Sequence, residues 1–222
     1  MIQAILFDMD GVVWESSGAH EASFKEALQE VGLGEIDFEY SKIAGKKSSE
    51  AWRLIYRANN LVIDEEALQK MTFLKQSLFL EKSSSIQINY DLLNTIQSQV
   101  TRRWSLVTSG SRKSMNIFLD SIGSNFKFEF CLSAEDVQSG KPSPEGFLSA
   151  AKLMGLQPHE CIILEDSPSG LEAASRAGIR SVHIVSEHED KCLLDSHPST
   201  NLGCFAPAGK GLKEMVNTIC RL

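Results

Sequence analysis

The chain has 222 residues, 42% apolar and 23% charged, enough to bury one full core and a small second one. Its net charge of −7 comes from 22 basic and 29 acidic residues, and no stretch gathers enough Lys or Arg to track phosphates, which argues against a nucleic-acid-binding module. The five cysteines (131, 161, 192, 204 and 220) form neither a Cys-x-x-Cys nor a zinc spacing, and no segment approaches the roughly 20 apolar residues of a membrane helix. The expectation is a cytoplasmic protein with free thiols, no signal peptide and no membrane partner, as a monomer or weak dimer.

The apolar run at 2–7 reads as a buried strand that ends in Asp8-Met9-Asp10-Gly11. Side chains alternate along an extended chain, so Asp8 and Asp10 point the same way. Carboxylates that close repel unless a cation lies between them or one carries a proton. The competing reading is a strand entering an Asp-Gly hairpin turn.

Residues 16–85 read as consecutive helices at 19–31, near 36–43, at 48–58 and at 65–81, with no strand between them. The apolar face of the first is Ala22, Phe24, Ala27, Leu28 and Val31. The segment is therefore a helical insertion after the first strand, entered near 14–17 and left through Ser83-Ser84-Ser85. Placed there, it sits over Asp8 and Asp10 as a candidate lid. Trp14 and Trp52 read as packing residues of the hinge and of a helix.

Beyond the insertion, strands at 104–108, 128–132, 161–164 and 181–185 alternate with helices at 89–100, 111–122, 144–155 and 168–177. Gly123, Gly155 and Gly178 stand as helix stops. That alternation calls for an α/β fold, a doubly wound parallel sheet with active-site residues at the carboxyl ends of its strands.

Three more strand ends carry chemistry. Thr108-Ser109-Gly110-Ser111 leaves main-chain amides open as an anion cradle, or makes an ordinary helix cap. Lys141 lies between Gly140 and Pro142-Ser143-Pro144, where the prolines restrict the backbone that aims its ammonium, or where it is an exposed lysine of a loop before a helix. Glu165-Asp166-Ser167-Pro168 follows an apolar strand. Asp166 can complete an oxygen-rich site with Asp8 and the main-chain carbonyl of Asp10, suited to Mg2+. Ser167 reads first as a helix cap. From 186 to 209 the chain reads as a long loop, in which His188 with its acidic neighbours is a solvated charged stretch.

Asp-Met-Asp-Gly-Val at 8–12, Thr108, Lys141 with its prolines, and Glu165-Asp166-Ser167 extended by 170–178 together resemble the haloacid dehalogenase superfamily. The insertion resembles the helical cap of its β-phosphoglucomutase-like branch. The resemblance implies a Rossmann-like catalytic core of residues 1–15 and 86–222 and a cap of residues 16–85. It also implies hydrolysis of a small phosphomonoester: Asp8 is the nucleophile, Asp10 the acid and base, and Thr108, Ser109 and Lys141 hold phosphate. Asp8, Asp10, Asp166 and Glu165 make the magnesium site, Glu165 directly or from behind. His20, Lys46 and Lys47 are the cap candidates. His20 is placed like a family residue that assists the second aspartate, though a surface histidine fits the spacing as well. The alternative activity is a sugar phosphomutase, which favours an arginine after Gly45 where this chain has lysines. A catalytically idle relative would have lost Asp8, Asp10 or Asp166, and none is lost.

Overall fold

The computed structural model describes residues 1–100, 102–185 and 200–222. Among the described residues six strands form one parallel sheet: β1 (Ala4–Phe7), β2 (Arg103–Val107), β3 (Phe130–Leu132), β4 (Cys161–Glu165), β5 (Arg180–Ile184) and β6 (Asn201–Phe205). Their order is β3-β2-β1-β4-β5-β6, so the first strand lies at the centre. Continuous apolar runs become strands covered on both faces, and every residue of β1 and β4 is buried.

Alternation sorts their side chains. Ile5, Phe7, Leu106, Ile162 and Leu164 pack with Leu93, Phe118 and Met215, from α4 (Tyr90–Gln99), α5 (Arg112–Ile122) and α8 (Gly209–Cys220). Ala4, Leu6 and Ile163 point the other way, against Phe147, Ala150, Ala173 and Ala174 of α6 (Glu145–Leu153) and α7 (Pro168–Ala177). Ala4 opposes both Arg103 and Cys161, and Phe7 opposes both Leu106 and Leu164. The three central strands thus end level, and the residues just beyond them leave the sheet along one edge.

Between β1 and β2 run α1 (Ser17–Glu30), α2 (Ser48–Ala58) and α3 (Glu65–Lys82). They close around their own apolar cluster, which includes Phe24, Leu28, Trp52, Ile55, Leu68 and Met71. Asp64 caps α3 by accepting from the Ala67 amide at 2.8 Å. The outgoing and returning chains are tied side by side, Glu15 N to Gln87 O at 2.9 Å and Asn89 N to Val13 O at 3.0 Å. Trp14 is buried at this crossing between Phe79 and Phe118, with ring centroids 5.6 and 6.0 Å away. Both Trp14 and Trp52 are packing residues, as expected.

Several expectations need correction. The helix expected near 36–43 contracts to a 3-10 turn, Tyr40–Lys42, that buries no side chain. The linker at 83–85 is another such turn. The loop expected from 186 to 209 ends instead in β6, and α8 follows. Of that stretch 186–199, His188 included, lies outside the described residues. β6 escapes a pattern reading because it is a half-buried edge strand with a register shift between Ser181 and His183. The helix α8 was legible, since Leu212, Met215, Val216 and Ile219 form one buried stripe. Among the described residues Cys131, Cys161 and Cys220 are free thiols. Among the described residues no helix is long and apolar enough to cross a membrane.

Ile163 stands fully buried in the central sheet. Ile163→Ala is expected to lower the unfolding free energy by about 2–5 kcal/mol, read from urea denaturation.

Candidate active site

Asp8 follows β1 directly, and its amide donates to Leu164 O at 2.9 Å, so the sheet ladder continues to the aspartate itself. The chain then turns sharply, with the amides of Val12, Val13 and Trp14 all converging on Met9 O. Gly11 makes that turn at φ 79°, and a Cβ there would collide with the Asp166 carboxylate. Glycine is required on both counts.

Carboxylate oxygens of Asp8, Glu165 and Asp166 lie within 4.8 Å of one another. Lys141 is buried among them. Its ammonium bonds the Asp8 carboxylate and donates to Glu165 Oε2 at 2.7 Å. Glu165 is completely buried, and its other oxygen accepts from Ser167 Oγ at 2.7 Å and Ser167 N at 3.1 Å. Ser167 also accepts from Gly170 N at 3.1 Å, so it is the helix cap expected of it.

Asp10 has different company. Its Oδ1 accepts from Ser16 Oγ at 2.5 Å and faces His20 Nε2 at 3.0 Å, while Oδ2 accepts from Thr108 Oγ1 at 3.1 Å. The Asp10 carboxylate does not belong to the cluster of three. The hydroxyl of Thr108, expected on phosphate, is given to Asp10, and it accepts from Gly110 N at 2.8 Å. Ser109 lines a cavity of about 190 Å³ between the sheet edge and the helical insertion, together with Asp8, Asp10, Asp166, His20 and Lys46. Lys46 is mostly buried there, 3.7 Å from Glu50. Lys47 touches the same cavity, but its ammonium donates to Val137 O at 2.7 Å.

A sequence profile described as haloacid dehalogenase-like hydrolase matches residues 5–184. The chain belongs to this family. It is 28% identical to the fructose-1-phosphate phosphatase YqaB of Escherichia coli over 185 residues, 81% of this chain and 95% of that one. It is 25% identical to 2-deoxyglucose-6-phosphate phosphatase 2 of Saccharomyces cerevisiae, over 88% of this chain and 85% of the other. The β-phosphoglucomutase structure from Clostridium difficile superposes over 100% of both chains with a TM-score of 0.78 at 24% identity, a likeness of fold.

The two aspartates of this hydrolase are held in opposite electrostatic states. Burial, then the repulsion of Glu165, raises Asp8 above the ordinary carboxylate range despite Lys141. Burial, Glu165 and Asp8 likewise raise Asp166. Three buried carboxylates share one ammonium, so their ionised forms repel, and such a site takes up a proton or a divalent cation. Burial also opposes the charge of Asp10, but His20, the Ser16 hydrogen bond and Lys75 outweigh it and bring Asp10 down to about 2. Lys141 is raised, because Asp8 and Glu165 outweigh its burial.

Sequence reasoning missed Lys75. Its ammonium lies 2.6 Å from His20 Nδ1, which leaves Nε2 to carry the imidazole proton toward Asp10. Burial, then Lys75, lowers His20, whose ring stacks on Phe79 with the centroids 3.9 Å apart. The surface-histidine alternative fails: His20 is turned inward. A signal for Lys75 existed, since it sits among the apolar positions Met71, Leu78 and Phe79 of one helix face.

Burial lowers Lys75 from 10.5 to about 8. Between those values the unfolded chain holds a proton that the folded one lacks, so stability rises with pH across that window. The difference in unfolding free energy between wild type and Lys75→Met is expected to shift in favour of wild type from pH 8 up to pH 10.5. Paired denaturant titrations measure it.

Proposed function

We propose that the protein is a magnesium-dependent phosphatase that hydrolyses a small sugar phosphate or similar phosphomonoester through an aspartyl phosphate on Asp8. The carrying observation is the contrast between two aspartates at the floor of one cavity. Asp8 belongs to the carboxylate cluster with Lys141, and Asp10 is surrounded by hydroxyls and His20. The names of the phosphatase relatives supply the substrate class. In this reading residues 16–85 are a cap over a core of 1–15 and 86–222.

Asp8 Oδ attacks phosphorus, and the bond from phosphorus to the ester oxygen breaks. The arriving phosphoryl charge favours the protonated form of Asp10, whose carboxyl gives its proton to the leaving alkoxide. The resulting carboxylate takes a proton from water, which attacks the aspartyl phosphate, releases inorganic phosphate and restores Asp8. Ser16, Thr108 and His20 aim Asp10 throughout. Lys141 offsets charge on Asp8 and the phosphoryl oxygens, with Glu165 fixing it from behind rather than spending its oxygens on metal. The main-chain amide of Ser109, at the cavity wall, orients the phosphoryl group. Asp8 and Asp166, with the main-chain carbonyl of Asp10, are the residues that would hold Mg2+. When bound, the ion offsets phosphoryl charge and orients the group for in-line attack.

A phosphomutase must also hold a second phosphate in its cap. With Lys47 engaged by the core, Lys46 alone of that pair is left to do so, which favours hydrolysis.

Wild type is expected to release phosphate from members of a sugar phosphate panel in Mg2+, and to stop in excess EDTA until Mg2+ is returned. Asp8→Asn is expected to abolish release altogether. Activity that survives in Asp8→Asn would overturn the nucleophile assignment.

A further inference from the structure

We infer that Lys47 is a positioning residue that couples docking of the helical insertion to the placement of Lys141. The loop before Lys141 is held from two sides. From the core, the Glu145 carboxylate accepts from the amides of Gln138 and Ser139, at 2.8 and 2.9 Å. From the insertion, the Lys47 ammonium donates to Val137 O at 2.7 Å and reaches Gln138 O at 3.5 Å. The amides belong to one partner and the carbonyls to the other, so neither side fixes the peptide planes alone.

The fit is specific to these residues. A Cβ on Gly140 would run into the Lys47 side chain at 2.7 Å, so the glycine beside Lys141 is what lets Lys47 cross the loop. Three residues earlier in the chain, Ala44 O accepts from Ser169 Oγ at 2.8 Å. Gly45, at φ 72°, leaves room for the hydroxyls of Ser167 and Ser169. The segment 44–47 therefore grips both loops that carry charge into the site, one leading to Lys141 and the other following Asp166. An undocked insertion exposes the carbonyls of Val137 and Gln138 and leaves the Lys141 loop to Glu145. Lys141 then loses a fixed aim at Asp8, and catalysis is sensitive to misplacement on that scale.

The kinetic half of this inference rests on the phosphatase reading, but the structural half does not. The test compares wild type, Lys47→Met and Lys47→Arg by amide hydrogen exchange and by steady-state phosphate release. In Lys47→Met, exchange at residues 138–141 is expected to quicken at least about tenfold while the amides of the central strands stay protected. The same variant is expected to lose at least about tenfold in kcat with KM within about twofold, the pattern of a lost positioning contact. Lys47→Arg, which can also donate to two carbonyls, is expected to recover most of both. Unchanged exchange at 138–141 would overturn the inference, and so would a raised KM with kcat kept, which marks a substrate contact. Quickened exchange across the whole sheet would overturn it as well, because Lys47 would then be a general stabiliser. If wild type releases no phosphate from any compound, the phosphatase reading fails, and the exchange result alone still decides the role of Lys47.

Discussion

A buried ammonium between two buried carboxylates is the interaction around which this molecule is arranged. Lys141 lies against Asp8 and Glu165 with almost no access to water, and taking these groups out of water is costly unless each is paired and hydrogen-bonded. The surroundings meet that condition in detail. Ser167 satisfies the second oxygen of Glu165, and Gly170 has no side chain because a Cβ would strike the Glu165 carboxylate. Breaking any one of these contacts leaves an uncompensated charge in a low-dielectric interior. The motif is therefore held by mutual electrostatic dependence as much as by its chemistry.

Two aspartates two residues apart are then given different characters. The strand alternation points them the same way, but one faces carboxylates and the other faces hydroxyls and an imidazole. Asp8 is crowded by like charge, whereas Asp10 is stabilised as an anion by Ser16, His20 and Lys75. The two environments give these neighbouring carboxylates opposite affinities for a proton. Much of that difference comes from the helical insertion, since His20 belongs to α1 and Lys75 to α3. The insertion is thus part of the electrostatic environment of the site as well as its roof.

Its docking follows the same logic. Trp14 and Phe79 supply an apolar contact at the crossing of the two connecting chains, while Lys47 and Ala44 make polar contacts with the core loops. An apolar hinge tolerates rotation, because burial has no direction. The hydrogen bonds of Lys47 and Ala44 do have direction, and they hold in one arrangement only.

Sequence by itself determined the parts that depend on local pattern. The apolar runs around 2–7 and 161–164 read as strands covered on both faces, and Asp8, Asp10, Lys141 and Asp166 were legible because each follows such a run or stands just before a pair of prolines. The helical nature of 16–85 was equally plain. What tertiary structure decided were the partners across long separations. It sent the Thr108 hydroxyl to Asp10 and Glu165 to Lys141, set the Lys47 ammonium on the carbonyls of 137 and 138, and brought Lys75 to His20. The edge strand β6 also waited for the fold, since its pairing with β5 gives it the order that its own pattern lacks. A side chain's residue type and element follow from its neighbours in the chain, but its charge state and its role depend on groups tens of residues away.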